Sequence, residues 1–297
     1  MATDGEGWVE CACGERHWGR YGAAGLLLAD GQPPARLVLQ HRALWSHQGG
    51  TWGLPGGARG SAESAWQAAL REAGEEAGLD PQLVRPHAQL VLQHPDWSYS
   101  TVVALPRAEQ VPVYASDAES IAVQWHPVEG LADLPLLPAF GAAWPQLQRL
   151  LASAATVVVD AANVVGARPD GWWRDRRGAT ARLIAGLTSL ANTGIAADLL
   201  ELPGARWWPR IQVVTEGAAR GVGGTDAVQV LQAPGSGDDT VVDTVLAAQN
   251  TPAGVEPAIT VVTADRPLRE RVAAAGGRSI GPGSLWRAID EVLHPGR

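Results

Sequence analysis

The second half of the chain contains short, uninterrupted hydrophobic runs separated by stretches with helical spacing. Apolar runs rich in β-branched residues occupy positions 156–159, 211–215, 227–231 and 259–263. Helical spacing occurs near 179–192, 238–249, 267–275 and 284–293. Strands that are apolar throughout and alternate with helices are typical of a parallel sheet covered on both faces. We therefore predict an α/β domain with a parallel sheet and helices on both faces over residues 154–294.

The first half has a different pattern, with more strands and one pronounced helix. Strands are predicted near residues 22–28, 37–42, 90–93, 99–105 and 122–127, and the helix near 61–77. Ser61 is predicted to cap the start of this helix, and Gly78 to follow its end in the left-handed conformation. A proline-rich passage over residues 134–155 separates the two halves.

The composition is that of a globular protein of about two domains. The 297 residues are 46 % hydrophobic and 18 % charged, which excludes a disordered chain. No apolar run reaches the roughly 18–20 residues of a membrane-spanning helix. The acidic first residues are not expected to act as a secretory signal. Because the chain has two cysteines, too few for a disulfide framework, we expect it in the reducing cytoplasm.

The net charge of −8 makes a protein-wide electrostatic attraction to nucleic acid unexpected. The charge is uneven, because residues 1–150 carry 16 acidic residues and 9 arginines whereas residues 151–297 carry 15 and 14. The two halves are therefore expected to be chemically different domains.

Three glutamates near the end of the predicted helix form the most informative cluster. Glu72, Glu75 and Glu76 have relative positions 0, 3 and 4, which places them within about 100° of arc on one helix face. Their charges repel one another and oppose the negative end of the helix dipole. Divalent cations with oxygen ligands compensate such charge, and Mg²⁺ typically shares carboxylates with substrate phosphates. The alternative is an acidic helix face exposed to solvent.

The segment around these glutamates has the spacing of a known motif. The pattern G-x5-E-x7-R-E-U-x-E-E-x-G-U, in which U is aliphatic, is the Nudix box. The matching residues, which occupy every specified position, are Gly57, Glu63, Arg71, Glu72, Ala73, Glu75, Glu76, Gly78 and Leu79. The first half of the chain therefore resembles a Nudix hydrolase.

The resemblance implies a Nudix α/β/α sandwich with a mixed sheet over residues 10–145. Such enzymes use Mg²⁺ or Mn²⁺ to cleave a nucleoside diphosphate from another moiety. Carried over by position, the metal ligands would be Glu72, Glu75 and Glu76. Arg71 would orient a glutamate, Glu63 would stabilise the loop before the helix, and Gly57 would allow a tight entry to that loop.

Many family members add a glutamate from a later loop, and the best match in this chain is Glu119. A cation at the site would neutralise the diphosphate and activate a water molecule. Either Glu75 or Glu119 could serve as the general base, and the sequence does not choose between them.

Aromatic residues in the first half could stack on a nucleotide base. The candidates are Trp45, Trp52, Trp97, Tyr99 and Trp125. Because the chain has 13 tryptophans and one phenylalanine, tryptophan filling ordinary core positions is the favoured interpretation.

Cys11, Cys13 and His17 lie close together in the sequence and could bind zinc. Their spacing is not that of a zinc finger, and a fourth ligand is missing. A structural turn is therefore the favoured interpretation of this segment.

Acidic residues follow the predicted strands of the second half. Asp160 and Asn163 follow the first strand, and Asp265 follows the last strong one. Asp238 and Asp239 open a predicted helix, with Asp243 one turn later. The ends of such strands converge on one crevice, where carboxylates could hold two cations for phosphodiester hydrolysis. Helix capping is the simpler role for each aspartate taken singly.

The order of this acidic set resembles the NYN branch of the PIN-like nucleases over residues 154–294. The resemblance implies a metal site lined by Asp160, Asn163, Asp239 and Asp265, with Asp160 and Asp239 catalytic. Asp238 and Asp243 would be additions to this set, with Asp243 in support. Glu216 departs from the aspartate found in many relatives. In the loop 168–177, arginines beside paired tryptophans could bind single-stranded RNA, or the loop could be a solvated connection.

Together these patterns predict a Mg²⁺- or Mn²⁺-dependent nucleotide pyrophosphohydrolase that acts on nucleoside triphosphates or related nucleoside diphosphate derivatives. The second half would add an RNA-cleaving site. Two alternatives are a ribonuclease whose Nudix domain senses a nucleotide, and a regulator that binds ligands without turnover.

Overall fold

The structure is a computed structural model that describes residues 4–169 and 171–294. It contains two compact units. The N-terminal unit runs to Ala152 and includes Pro203–Arg206, and the C-terminal unit comprises Ser153–Leu202 and the chain from Trp207. Asp170, within the loop predicted to bind RNA, lies outside the described residues. The boundaries 10–145 and 154–294 stay predictions.

The N-terminal unit has two larger β-sheets and a two-stranded hairpin, β1–β2. Its strands are β1 Trp8–Glu10, β2 Arg16–Trp18, β3 Ala23–Leu28, β4 Arg36–Arg42, β5 Trp52–Gly53, β6 Gly56–Ala58, β7 Val84–Gln93, β8 Ser98–Pro106 and β9 Ser120–Pro127, and its helices are α1 Ala65–Ala77 and α2 Pro138–Leu151. Strands β7, β8, β3 and β6 are neighbours in that order, and only the β3–β8 pair among them is parallel. Strands β5, β4 and β9 form an antiparallel sheet. The predicted mixed sheet is confirmed.

Helix α1 begins three residues later than predicted. Ser64, not Ser61, caps it, because the Ser64 hydroxyl accepts from the Gln67 backbone and the Gln67 side chain accepts from the Ser64 backbone. The Ser61 side chain donates to Asp4 instead. Gly78 ends the helix at φ 60°, so the predicted left-handed residue is confirmed.

The buried face of α1 consists mainly of alanines. Their positions, at helical spacing, are Ala65, Ala68, Ala69, Ala73 and Ala77. Side chains this small let the helix axis come close to β3, β6 and β8, against which α1 packs. Glu76 lies on the same face, so this packing carries one carboxylate of the cluster into the protein.

The C-terminal unit is an α/β fold with a parallel sheet, as predicted. Its strands are β10 Ser153–Asp160, β11 Ile195–Ala196, β13 Arg210–Thr215, β14 Val228–Gln232, β15 Glu256–Val262 and β16 Arg278–Ile280, and its helices are α3 Ala161–Gly166, α4 Arg176–Thr193, α5 Gly237–Ala248, α6 Arg266–Ala274 and α7 Pro282–Leu293. The short strand β12, Arg206–Trp207, has one residue in each unit. The sheet order is β14-β13-β10-β15-β16, and every neighbouring pair is parallel.

Helices α5 and α6 cover one face of this sheet, where Val241 and Leu268 pack with Val158. Because side chains alternate along a strand, Val157 and Val159 lie on the opposite face of β10, and both are buried. Helix α4 packs against the neighbouring strands β13 and β14. The first strand, β10, lies between β13 and β15, so the chain reverses its direction of winding there. Ligands of doubly wound sheets bind at the carboxyl ends of strands beside such a point.

Several elements were not predicted. The hairpin β1–β2 precedes every predicted strand, and β7 begins at Val84 rather than near residue 90, because a register shift between Pro86 and Ala88 hides its alternation.

Within residues 4–169 and 171–294, the structure contains no helix with the length and apolar character needed to cross a membrane.

Candidate active site

Arg71 is the centre of the acidic cluster on α1. Its Nε and Nη2 atoms donate to the two carboxylate oxygens of Glu63, at 2.8 and 3.0 Å. Its Nη1 atom donates to Glu72 Oε1 at 2.8 Å and lies 3.3 Å from Glu75 Oε2. Its Nη2 atom also donates to the Ala58 carbonyl on β6. One guanidinium therefore connects three glutamates and a strand.

Glu63 connects the loop before the helix to this network. Its carboxylate accepts from the Gly60 backbone N–H at 2.8 Å as well as from Arg71. The hydrogen bonds from Arg71 hold the pKa of Glu63 below its usual range. Glu63 therefore stays ionised and joins the loop at Gly60 to Arg71 on the helix.

Gly57 leaves room for the Glu72 carboxylate. A Cβ atom at this position would lie 2.5 Å from Glu72 Oε1, closer than non-bonded atoms approach. Gly57 belongs to β6 and pairs with Ala24. A larger residue at this position would force the Glu72 carboxylate to move. Burial raises the pKa of Glu72, and Arg71 opposes this shift.

Glu76 is almost fully buried, with 5 % of its surface exposed. Burial raises its pKa to about 8, although the Gly56 backbone N–H donates to its Oε2 atom at 2.7 Å and lowers the pKa. The charge of Glu72 raises the pKa further. Glu75, in contrast, has a side chain that is 45 % exposed. The three glutamates therefore range from buried to half-exposed.

The loop before β9 packs on the carboxyl end of α1. The Ser116 hydroxyl donates to the Glu75 carbonyl at 2.6 Å, and its backbone N–H donates to the Glu76 carbonyl. Glu119, the residue expected from the resemblance, is exposed. Asp117 is the acidic residue of this loop whose charge affects Glu76. The one indication of Asp117 in the sequence was that it lies two residues before Glu119, in the loop where the resemblance places an additional acidic residue.

Gln40 is a further residue of this region that the sequence did not indicate. It is fully buried on β4, and its Nε2 atom donates to the Ser120 hydroxyl at 2.9 Å. Its Oε1 atom has no hydrogen-bond partner among the described residues. The Gln40 side chain also hydrogen-bonds Glu76 and lowers its pKa. A glutamine within an apolar strand had no pattern to distinguish it.

The predicted stacking residues have different environments. Trp45 is 71 % exposed. Trp52 stacks on His41 at 4.6 Å, and Trp125 donates to the Val111 carbonyl. Trp97 stacks on His17. Tyr99 is half-buried, and its pKa is raised first by burial and second by the charge of Glu76. Trp45 is thus the most accessible of the five to a ligand.

Comparisons with known proteins agree with this geometry. The NUDIX domain family model matches residues 19–149. The chain is 48 % identical over 163 residues to the putative 8-oxo-dGTP diphosphatase 3 of Mycobacterium tuberculosis, across 52 % of this chain and 72 % of that protein. The chain belongs to the Nudix family. It is a Nudix-type hydrolase of phosphoric anhydride bonds, and its N-terminal unit is called the Nudix unit below.

Two further Nudix proteins are similar to this chain. A nucleoside triphosphate pyrophosphatase/Nudix hydrolase fusion protein of Bifidobacterium longum is 41 % identical over 157 residues, which is 51 % of this chain and 33 % of that protein. The crystal structure of the M. smegmatis Nudix hydrolase RenU is 45 % identical, covers 48 % of this chain and 93 % of its own, and has a TM-score of 0.44.

Outside the Nudix unit, a second acidic group lies at the carboxyl end of β10. Asp160 caps α3 by accepting from the Asn163 backbone N–H, and it accepts from the Thr263 hydroxyl at 3.0 Å. The Asn163 side chain accepts from the Ala264 backbone N–H at 2.7 Å. Burial raises the pKa of Asp160, and the charges of Asp238 and Glu216 raise it further. The ends of β10 and β15 are thus joined by polar side chains.

The two consecutive aspartates at the start of α5 have different partners. Burial raises the pKa of Asp238, and the nearby charge of Asp265 raises it further. Asp239 instead forms an ion pair of 2.6 Å with Arg271 on α6. Asp243 is exposed. The structure therefore brings Asp238, more than the predicted Asp239, into the group at the strand ends.

Asp265 and Glu216 complete this group, and each also has a structural role. Asp265 caps α6 through the Leu268 backbone N–H at 2.8 Å. Glu216 follows β13 and accepts from the Gly237 backbone N–H at the start of α5. The capping role considered for Asp265 is confirmed.

The arginines of the loop 168–177 are partly engaged within the unit. Arg176 lies over the Trp172 ring at 5.2 Å, and Arg177 donates to the Gly221 carbonyl. Arg168 lies over the Trp286 ring. Trp173 is 57 % exposed.

Proposed function

We propose that the Nudix unit is a pyrophosphohydrolase of nucleoside triphosphates. The observation that carries this proposal is the network in which Arg71 binds Glu63, Glu72 and Glu75 while Glu76 is buried beside them. The similarity to a protein named as an 8-oxo-dGTP diphosphatase makes a triphosphate with an oxidised purine the first substrate to test.

The residues of the network suit a hard divalent cation. Carboxylate oxygens are the ligands that Mg²⁺ and Mn²⁺ prefer. Burial raises the pKa values of Glu72 and Glu76, so a cation bound there would stabilise their ionised forms. We propose that Glu72, Glu75 and Glu76 hold Mg²⁺ or Mn²⁺. Such a cation, when bound, neutralises the diphosphate and lowers the pKa of a water molecule.

The protein's own residues have distinct roles in this proposal. Arg71 orients Glu72 and Glu75 through Nη1, and Glu63 holds Arg71 in place with a bidentate pair. Gly57 leaves the space that the Glu72 carboxylate occupies. Glu75 and Glu119 are the two candidates for the general base, and Glu75 is the one whose carboxylate contacts Arg71.

The test is a substrate panel with and without Mg²⁺. The full chain is incubated with 8-oxo-dGTP, dGTP and ADP-ribose, and products are separated by ion-exchange chromatography. We expect a nucleoside monophosphate and pyrophosphate from a triphosphate, with no turnover in a chelator. Glu75→Gln should lower kcat by roughly 10²- to 10⁴-fold. Glu129→Gln, at an exposed glutamate, is the control. Preferred cleavage of ADP-ribose, or full activity of Glu75→Gln, would contradict the proposal.

We also propose that the C-terminal unit is a metal-dependent ribonuclease of the PIN-like type. The arrangement of Asp160, Asp238 and Asp265 near the strand ends supports it, since their charges affect one another. These carboxylates would hold the cation. The test is cleavage of single-stranded RNA by the full chain with Mn²⁺, which Asp160→Asn should abolish while nucleotide hydrolysis continues. RNA left intact by the wild-type chain would overturn this second proposal.

A further inference from the structure

The first hairpin of the Nudix unit presents two cysteines and a histidine on one side. Strands β1 and β2 pair with Val9 opposite His17, and the turn between them begins at Cys11. In the turn, the Gly14 backbone N–H donates to the Cys11 carbonyl, with Gly14 at φ 89°. Cys13 Sγ lies 3.2 Å from His17 Nε2. The turn thus folds a sulfur atom back onto the strand that follows it.

The hairpin β7–β8 supplies the fourth group, which the local sequence lacked. Its turn contains His94, whose ring centroid lies 4.3 Å from that of His17. Two hydrogen bonds connect the turns: the Ala12 backbone N–H donates to Asp96 at 2.8 Å, and the Trp97 indole donates to the Trp18 carbonyl at 3.1 Å. Two separate segments of the chain are therefore held together at this point.

The four side chains converge closely. One ligand atom from each of Cys11, Cys13, His17 and His94 lies within 4.8 Å of all the others. Both cysteines are free thiols. Among residues 4–169 and 171–294, this is the one group of three or more cysteine, histidine or acidic side chains whose ligand atoms converge in this way.

We propose that Cys11, Cys13, His17 and His94 form a structural zinc site. Two sulfur and two nitrogen ligands are a standard set for tetrahedral Zn²⁺, with bonds of roughly 2.3 Å to sulfur and about 2.0 Å to nitrogen. A tetrahedron of these bond lengths has edges of roughly 3.3–3.8 Å, so ligand atoms that lie within 4.8 Å of one another need shifts of about 1 Å to bind one ion. Four protein ligands fill the coordination sphere, which is typical of a structural site rather than a catalytic one.

The surroundings suit a bound ion that stabilises the fold. Trp97 stacks on His17 with centroids 4.4 Å apart and ring planes 10° apart, which holds the imidazole in place. Strands β1 and β2 have three residues each, too few for a hairpin that is stable alone. Zinc binding would fasten this hairpin to the turn after β7. The two sites are expected to prefer different metals, because thiolates favour Zn²⁺ whereas the carboxylates of α1 favour Mg²⁺.

The test measures metal content in the full chain. Protein purified with reductant and without chelator should contain about one zinc per chain by mass spectrometry. Cys13→Ser and His94→Gln should each reduce this content severalfold, whereas His126→Gln, at a histidine outside the group, should not. Unchanged zinc in both variants, or a wild-type chain without zinc, would overturn the proposal.

Cobalt spectroscopy provides a readout on the wild-type chain that does not depend on variant folding. Chelator-treated, reduced protein titrated with Co²⁺ should show a thiolate charge-transfer band and the visible absorption of tetrahedral cobalt. Zn²⁺ should displace both signals, and it should restore the melting temperature that chelation lowers, whereas Mg²⁺ should not. A spectrum without a thiolate band in reduced protein would overturn the site, and so would a melting temperature that Zn²⁺ leaves unchanged.

Discussion

The two units of this protein assemble acidic groups in opposite ways. In the Nudix unit, Glu72, Glu75 and Glu76 come from one helix, and Arg71 of the same helix connects two of them. In the C-terminal unit, Asp160 and Asp265 come from the ends of different strands. Acidic residues on one helix can be recognised from their spacing in the sequence. Acidic residues at the ends of several strands come together only when the strands have taken their places in the sheet.

The units also differ in how arginine is used. Arg71 is embedded among carboxylates and makes a bidentate pair with Glu63. Arg271 forms an ion pair with Asp239, and its charge lowers the pKa of Asp238, whereas no cation is among the principal influences on Asp160. A guanidinium therefore orients the Nudix carboxylates, whereas hydrogen bonds from Thr263 and from the Asn163 backbone hold Asp160.

Among substitutions outside the proposed metal ligands, Arg71→Lys is expected to have the largest effect. An ammonium cannot reproduce the bidentate pair with Glu63 while also contacting Glu72, so the carboxylates lose their orientation. We expect kcat for nucleotide hydrolysis to fall by roughly 10- to 100-fold. Arg36→Lys, at an ion pair with Asp30, is the matched control and should retain activity. An Arg71→Lys enzyme with wild-type kcat would show that orientation by Arg71 is unimportant.

Asp238→Asn and Asp239→Asn compare the contributions of these two neighbouring aspartates to metal binding in the C-terminal unit. Because the charge of Asp265 raises the pKa of Asp238 while Asp239 pairs with Arg271, Asp238→Asn should weaken Mn²⁺ binding there by roughly tenfold or more. Asp239→Asn should have a smaller effect. Titration followed by electron paramagnetic resonance, in a Glu75→Gln background to weaken the Nudix site, measures both. Equal losses would remove the distinction drawn between them.

Gly57→Ala tests the space reserved for Glu72. The added methyl group would lie 2.5 Å from Glu72 Oε1, so the carboxylate or β6 must move. We expect a loss of roughly 1–3 kcal/mol in the free energy of unfolding, together with reduced kcat. Gly74→Ala on α1 meets nothing closer than 3.6 Å and should stabilise the helix by about 1 kcal/mol. Denaturant unfolding compares the two, and equal effects would contradict this account.

The smallest effect concerns pH. The folded chain protonates Glu76 near pH 8, whereas the unfolded chain does so near its ordinary value of 4.5. The folded state therefore binds more protons in this interval, and the contribution of Glu76 to stability falls as pH rises from about 4.5 to about 8. In chelator, Glu76→Gln should reduce the decline of melting temperature with pH, while Glu129→Gln should not. Identical profiles for wild type and Glu76→Gln would contradict the burial argument.

Much of the Nudix site could be predicted because its spacing is local. The contacts of Arg71 with Glu63 and Glu72 join residues within one loop and helix. The predicted start of α1 was wrong. Ser61 and Ser64 are both suitable caps, but Ser64 is the one that forms a capping box with Gln67. Asp117 was missed because its approach to Glu76 depends on how a distant loop packs on the helix.

The sequence by itself indicated most of the longer strands and helices, the single carboxylate face of α1 and the strand–helix alternation typical of a parallel sheet. These follow from 3.6-residue and two-residue periodicities, which act over neighbouring positions. Tertiary structure decided that Glu76 is buried and that His94 meets Cys11, Cys13 and His17. Burial and contacts between distant segments arise from packing, since a side chain's surroundings are set by whichever elements fold against it.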